Sequence, residues 1–398
     1  MLGNFTYHNP TKLIFGKDAL ASLATELTPY NTIQLVYGGG SIRKFGIYDQ
    51  VVETLRAAGK TIVEDSGVMP NPTIEKLREG TRIARENDVD FILAVGGGSC
   101  VDYAKAVAVS KNLPAGEDPW DVYFDRFEEP AADREVVPVG SVLTMVGTGS
   151  EMNRGSVITN RELGRKIGHV FTDERVSPRF AVLNPEFTYT VPRYQMAAGI
   201  FDIMNHITEQ YFSGADDNTS DYLAEGLMRS LVTASRAAVA NPTDYEARSN
   251  IMWTCCWAIN GLTVKGNPVG WSMHKLEHEL SAFYDVTHGE GLAVIMPAWL
   301  TWMLTEDNAY RYLGYLQAAF GIDPTGMDKM EAAKLAIEKT REYFASLNLP
   351  QHLRDFGIEE EMLPKMAHEA AIIGKDYFAK AFRPLNEQSA LEIYKLAY

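Results

Sequence analysis

The chain has 398 residues, 46% hydrophobic and 22% charged, with a formal net charge of −15, which is enough sequence for two or three domains' worth of core. The acidic balance argues against nucleic acid or an anionic membrane as main partner, no stretch approaches the roughly 18 apolar residues of a membrane span, and the start, MLGNFTYHNPTKLIFG, lacks the shape of a signal peptide. Three cysteines (Cys100, Cys255 and Cys256) make a poor disulfide framework and fit a reducing compartment, so a cytoplasmic protein is expected.

IQLVY (33–37) reads as a buried strand ending in Gly38-Gly39-Gly40, with Ser41 next. Helical spacing follows around 46–58, and TIVEDS (61–66) reads as a second strand. PNP at 70–72 punctuates the chain before a helical pattern at 73–87. FILAVGGGSCVDYAKAVAVS (91–110) reads as strand, glycine turn and helix. VPVGSVLTM (137–145) is a further strand that runs into GTGSE, and FAVLNP (180–185) is a short one. Strands alternating with helices predict crossover units and a parallel sheet. The texture changes near 190, where Thr190-Val191-Pro192 puts a proline at a helix start. Segments 221–240, 244–263, 273–283, 291–305, 308–320, 328–347 and 359–373 then read as helices. The expected fold class is α/β plus all-α. A Rossmann-like parallel-sheet dinucleotide domain spans 1–188, and an all-helical metal and substrate domain spans 189–398.

The glycine turns point to a nucleotide. Gly96-Gly97-Gly98-Ser99 ends a strand and opens a helix, whose free N–H groups suit a phosphate. Ser99 with Asp102 gives an S-x-x-D capping pattern. Gly147-Thr148-Gly149-Ser150-Glu151 is a second such turn, and several turns at strand ends line the edge where α/β proteins bind ligands. The first turn, Gly38 to Ser41, has no acid for a ribose 2′-hydroxyl, and Arg43 and Lys44 stand nearby. That favours NADP(H) over NAD(H).

Four of the eight histidines fall between 206 and 288. Asp202 and His206 are four apart, so on a helix they share one face, and His274 and His278 repeat the spacing. His288 follows in THGEG, read as a loop whose glycines allow a bend beside a ligand. Asp202, His206, His274 and His288 make a mixed N/O set for a divalent ion. His278 reads as core or helix surface. Met252, Trp253, Trp257, Trp271, Met273, Phe283 and Tyr284 read as core and pocket wall.

In order along essentially the whole chain, FGKDAL, NP at 71–72, GGGSCVDYAK, GTGSE, DxxxH at 202–206 and WSMHKLEHELSAFYDVTHGEGLAV resemble the iron-dependent (group III) alcohol dehydrogenases. YGGGSIRKFGIYD and YEARSNIMWTCCWAINGL look like that family's NADPH-dependent butanol dehydrogenase branch. The resemblance implies Asp202, His206, His274 and His288 as ligands of one divalent metal, Fe²⁺ first and Zn²⁺ second. It sets His278 apart as a non-ligand beside substrate and nicotinamide. It implies phosphate binding by Gly97, Gly98 and Ser99 near Asp102, and Gly38, Gly39 and Ser41 where NAD-preferring members carry an acid. Thr144 and Thr148 would line the nicotinamide side, Lys166 would reach the ribose and Leu183 would touch the cofactor. Two departures stand out: Thr144-Met145-Val146 replaces a common Thr-Thr-Ala, which puts contacts around 145 in doubt, and Cys100 replaces a small apolar residue. The expected activity is hydride transfer between NADP(H) and a short primary alcohol or aldehyde such as butanol or butanal, by a homodimer. A glycerol-dehydrogenase-like polyol enzyme or a metal-dependent lyase or cyclase on the same scaffold is the alternative.

Overall fold

The computed structural model describes residues 3–213, 218–263 and 269–398. They form two compact units. One is His8–Val191; the other is Pro192–Tyr398 joined by Met1–Tyr7. The N-terminal segment joins the helical unit, where the Tyr7 ring lies 3.6 Å from the place a Cβ on Gly261 would take.

The first unit is built on a parallel sheet of six strands: β1 (Lys12–Phe15), β2 (Thr32–Tyr37), β3 (Thr61–Asp65), β4 (Phe91–Gly96), β5 (Val139–Leu143) and β8 (Phe180–Leu183). Their order is β1-β8-β5-β4-β2-β3. Between β5 and β8 the chain adds an antiparallel hairpin of β6 (Gly155–Asn160) and β7 (Arg165–Val170). Helices α1 (Leu23–Glu26), α2 (Ser41–Lys44), α3 (Ile47–Ala57), α4 (Ile74–Glu86) and α5 (Gly98–Ser110) supply the connections before β5. Every residue of β4, β5 and β8 is buried. That explains their unbroken apolar runs, since a parallel sheet is covered on both faces. The core is tightly fitted: a Cβ on Gly140 would lie 2.6 Å from the Phe180 ring, which itself stacks on Phe91 at 5.7 Å between centroids. The β1 strand and the hairpin lack a clear apolar alternation, and the sequence reading passes over both.

The second unit contains α6 (Arg193–Tyr211), α7 (Thr219–Ala240), α8 (Tyr245–Ala258), α9 (Ser272–Tyr284), α10 (His288–Met303), α11 (Ala309–Phe320), α12 (Lys329–Ser346), α13 (Leu363–Ile373), α14 (Lys375–Phe378) and α15 (Glu387–Ala397). Pro192 stands immediately before α6 as its N-cap. The start of α7 is fixed by a reciprocal capping box between Asn218 and Asp221. Gly289 through Leu300 of α10 are all buried, because α10 packs against α6, α9, α12 and α15 at once. No described helix is long and apolar enough to cross a membrane.

Candidate active site

Three helices bring the histidines together. His206 Nε2, His288 Nε2 and His274 Nε2 lie 3.5, 3.8 and 3.9 Å from one atom, Asp202 Oδ1. Asp202 and His206 come from one face of α6, His274 from the first turn of α9, and His288 from the start of α10. The His206 and His274 rings stack at 4.7 Å. Asp202, His206, His274 and His278 are each less than a tenth exposed.

The donor set fits a divalent cation. Asp202 Oδ1 and His274 Nε2 are buried without a hydrogen-bond partner among the described residues, an expensive arrangement unless something binds them. Burial pushes the Asp202 carboxyl up, but His206, His274 and His288 outweigh it and hold it well below the usual carboxylate range. Burial likewise opposes charge on His274, yet Asp202 and Glu209 bring it up to about 9. The pocket thus attracts positive charge, and three neutral imidazoles with one carboxylate suit Fe²⁺ or Zn²⁺.

A second layer of acids orients these rings. His274 Nδ1 donates to Glu209, and His288 Nδ1 donates to Glu277. Glu209 is also held by the Met273 backbone N–H at 2.7 Å. Glu277 is also held by the Ser281 hydroxyl at 2.5 Å. With Nδ1 held by an acid, each ring turns its Nε2 toward Asp202 Oδ1. The Trp271 ring stands edge-on to His206 at 6.0 Å and to His274 at 5.3 Å. Its backbone is held at φ +45°, in the left-handed region that side chains avoid.

In the sheet unit, the glycine turns gather at the carboxyl ends of adjacent strands. Gly38 follows β2, Gly97 follows β4, Thr144 follows β5, and Leu183 ends β8. The chain leaves β2 toward β3 on one side and continues from β4 toward β5 on the other, so a topological switch point lies between β2 and β4. Gly98, after β4, meets Thr148, after β5: a Cβ on Gly98 would lie 1.9 Å from Thr148 Oγ1. A Cβ on Gly39 would meet nothing within 4 Å, so the first turn is open to a ligand.

Both units match one family. The profile for iron-containing alcohol dehydrogenase covers residues 10–185, and that family's C-terminal profile covers residues 196–398. The chain belongs to the iron-containing alcohol dehydrogenase family. It is 41% identical over 397 residues to NADH-dependent butanol dehydrogenase A of Clostridium acetobutylicum, covering 99% of this chain and 100% of that one. It is 37% identical over 367 residues to the NADPH-dependent aldehyde reductase YqhD of Escherichia coli, covering 92% of each. A crystal structure of NADH-dependent butanol dehydrogenase A from Thermotoga maritima superposes with a TM-score of 0.92 at 34% identity, covering 100% of this chain and 99% of that one. The chain is an oxidoreductase of the alcohol dehydrogenase and aldehyde reductase type.

Within this iron-containing alcohol dehydrogenase, several residues stand differently from the sequence reading. His288 is not in a loop. It is the first residue of α10, with Thr287 as N-cap. The neighbouring glycines serve packing rather than bending, since a Cβ on Gly289 would fall 2.0 Å from the Ala198 carbonyl oxygen of α6. Ser99 is not a cap either. Extended Gly97 caps α5, and helix geometry begins at Gly98. The Asp102 carboxylate instead accepts from the Ser150 hydroxyl and, at 3.1 Å, from the Val157 N–H. Asp102 therefore ties α5 to the GTGSE turn and the hairpin. Lys166 lies on β7, buried; burial pushes the Asp102 carboxyl up, against the smaller opposing pull of Lys105, Ser150, the Val157 N–H and Lys166. Trp253 is not core: it is 43% exposed and packs edge-on against Trp257, while Met252 and Met273 are fully buried.

Glu209 and Glu277 escape the sequence reading. A signal exists in hindsight. Glu209 continues the Asp202–His206 stripe at i+7, and Glu277 stands one turn from His274. Acids on helices are too common for that spacing alone to mark them.

Proposed function

We propose that this protein transfers a hydride reversibly between NADP(H) and a short aliphatic primary alcohol or aldehyde of the butanol/butanal kind. The supporting observation is the convergence of three imidazole nitrogens within 3.9 Å of Asp202 Oδ1. The same chain carries open glycine turns at its sheet's switch point.

A divalent ion, iron by family and zinc by donor type, would be held by Asp202, His206, His274 and His288, and would supply Lewis acidity toward the substrate oxygen. The nicotinamide supplies or accepts the hydride. The chain's own residues do the rest. Glu209 and Glu277 keep the Nδ1 protons of His274 and His288 in place, so that both Nε2 lone pairs stay aimed at one point. Trp271 walls the histidines against water. His278, buried and 5.7 Å from His288 between ring centroids, holds a proton on its imidazole for exchange with the substrate oxygen. Gly97, Gly98 and Ser99 receive the dinucleotide phosphates at the start of α5. Thr144, Thr148 and Leu183 line the adjoining strand ends, Lys166 serves the ribose, and Gly38, Gly39 and Ser41 leave room for a 2′-phosphate.

The named relatives divide between NADH and NADPH, so cofactor choice rests on the missing acid in residues 38–41. The assembly proposed is a homodimer, the commonest symmetric oligomer. The proposed location is the cytoplasm, which suits three buried cysteines that form no disulfide. Oxidation of the reduced cofactor by butanal, followed with NADPH and with NADH and repeated after chelation, tests the reading. Turnover faster with NADPH and abolished by the chelator is expected. No aldehyde-dependent oxidation with any of several aldehydes would sink it.

A further inference from the structure

Beside the first glycine turn lies a polar cluster that none of these roles uses. Tyr37 ends β2, Arg43 lies on α2, Tyr48 on α3, and Glu64 on β3, in register with Leu35 of β2. The Tyr37 hydroxyl donates to Glu64 Oε2 at 2.6 Å, and the Tyr48 hydroxyl donates to Glu64 Oε1. Arg43 donates to the Tyr37 hydroxyl and reaches Glu64 Oε2 at 3.3 Å. Its guanidinium carbon lies 3.7 Å from the centre of the Tyr48 ring. The Arg43 and Glu64 side chains are 49% and 41% exposed.

An ion pair this exposed holds its two partners only weakly. It can exchange partners. A phosphate dianion offers a guanidinium two charge-assisted hydrogen bonds in matching geometry, a stronger match than one carboxylate oxygen at 3.3 Å. In open α/β folds the carboxyl end of this strand receives the adenosine ribose, and an arginine nearby accommodates a 2′-phosphate.

We propose that Arg43 and Glu64 together set which dinucleotide the first turn accepts. Arg43 takes the 2′-phosphate, and Glu64 is the carboxylate that competes with that phosphate for the guanidinium. The inference deepens the cofactor reading and rests on its placement of the ribose at the end of β2. The acid that is absent from residues 38–41 is thus supplied by the neighbouring strand, where no local motif announces it. When NADP(H) binds, Arg43 turns from Glu64 to the phosphate, with the Tyr48 face as its support. An NAD(H) ribose leaves the pair intact.

The test is the ratio of NADPH to NADH affinity, measured by titration calorimetry on the full-length, metal-loaded protein. Glu64→Gln removes the charge, keeps one carbonyl acceptor for a tyrosine hydroxyl and turns an amide NH2 toward the other. It should raise the ratio about fivefold, the equivalent of one surface pair. Arg43→Ala should lower the ratio by roughly tenfold or more. In the double variant the gain from Glu64→Gln should vanish, because the carboxylate acts only through Arg43. An unchanged ratio in Glu64→Gln, or a gain that survives without Arg43, overturns the proposal. Ser41→Asp separates the two levels. If it shifts the ratio toward NADH while the pair variants do not, the ribose is placed correctly and the pair has no role. If no variant moves the ratio, the ribose placement itself falls.

Discussion

The side chain of Glu277 occupies the volume that any side chain at position 291 would need. A Cβ on Gly291 would lie 2.7 Å from Glu277 Cγ and 2.9 Å from Oε1. The same carboxylate accepts the Nδ1 proton of His288, three residues before that glycine. The second glycine of THGEG is therefore a seat for the acid that aims His288. Gly291→Ala should push Glu277 off the imidazole and weaken divalent-metal affinity by roughly 10–100-fold, the usual cost of losing such a partner. Glu277→Gln should weaken it in the same direction. Competition with a chromogenic chelator reads the affinity, and circular dichroism checks that the helices persist. Unchanged affinity in both variants would show that Glu277 does not orient His288.

His274 supplies one of the three converging nitrogens and reports on the whole ligand set. His274→Ala should lose bound metal and activity together, because Asp202 Oδ1 would face only two imidazoles. Elemental analysis and aldehyde turnover on the same preparation check this. A metal-free variant that keeps full turnover would defeat the ligand assignment.

Much of this was legible in the sequence, for reasons that differ by element. The β2 and β4 strands announce themselves because a sheet covered on both faces demands unbroken apolar runs. Asp202, His206 and His274 are legible because helical spacing converts directly into a shared face. His288 converges on Asp202 from the start of α10, where the sequence suggests a loop. Glycine usually opposes a helix, and only the packed structure shows that Gly289 is there to admit the Ala198 carbonyl. Glu64 and Glu209 are hidden for another reason. Their partners, Arg43 and His274, are 21 and 65 residues away, so no local pattern links them.

Gly98 and Thr148 offer a test of the strand-end geometry. A Cβ on Gly98 would fall 1.9 Å from Thr148 Oγ1, so Gly98→Ala should cost about 1–3 kcal/mol through overpacking. It should also weaken dinucleotide binding, because Gly98 opens α5. Thr148→Ala in the same chain should recover part of the stability. Urea midpoints of the two singles and the double measure the coupling. Strictly additive losses would mean that the two residues do not meet.

Lys105 gives a pH dependence with a definite sign. Its Nζ is fully buried and donates to Ser150 O at 3.0 Å and to Asn153 O at 3.2 Å. Burial lowers it to about 8 from 10.5, with Asp102 and Glu151 pulling the other way. Below pH 8 both the folded and the unfolded states carry the charge, and the folded state bears the full cost of burying it. As pH rises through 8 toward 10.5 the folded state releases its proton first, so this cost is relieved and stability rises. Lys105→Met cannot show that gain. The difference in urea midpoint between wild type and variant, followed from about pH 7 to about pH 10, should move in favour of wild type. A flat difference would mean that Lys105 keeps its proton over this range.

His278 tests whether the proton and the metal have separate keepers. It shares a face of α9 with His274, one turn away, and stands with Glu277 and His288 in a second group of neighbouring ligand-type side chains, apart from Asp202, His206 and His274. Its ring lies 5.7 Å from that of His288. A residue in that position can hold a proton near the reacting oxygen without competing for the ion. His278→Ala should therefore keep its metal, unlike His274→Ala, and lose turnover by roughly 10²–10⁴-fold, the range of a general acid or base. Its pH–rate profile should also differ from that of wild type measured alongside. A small drop with the pH–rate profile unchanged would reduce His278 to a polar wall. Loss of metal together with activity would make it a ligand, and His278 would then have to be exchanged for one of the four residues assigned to the ion.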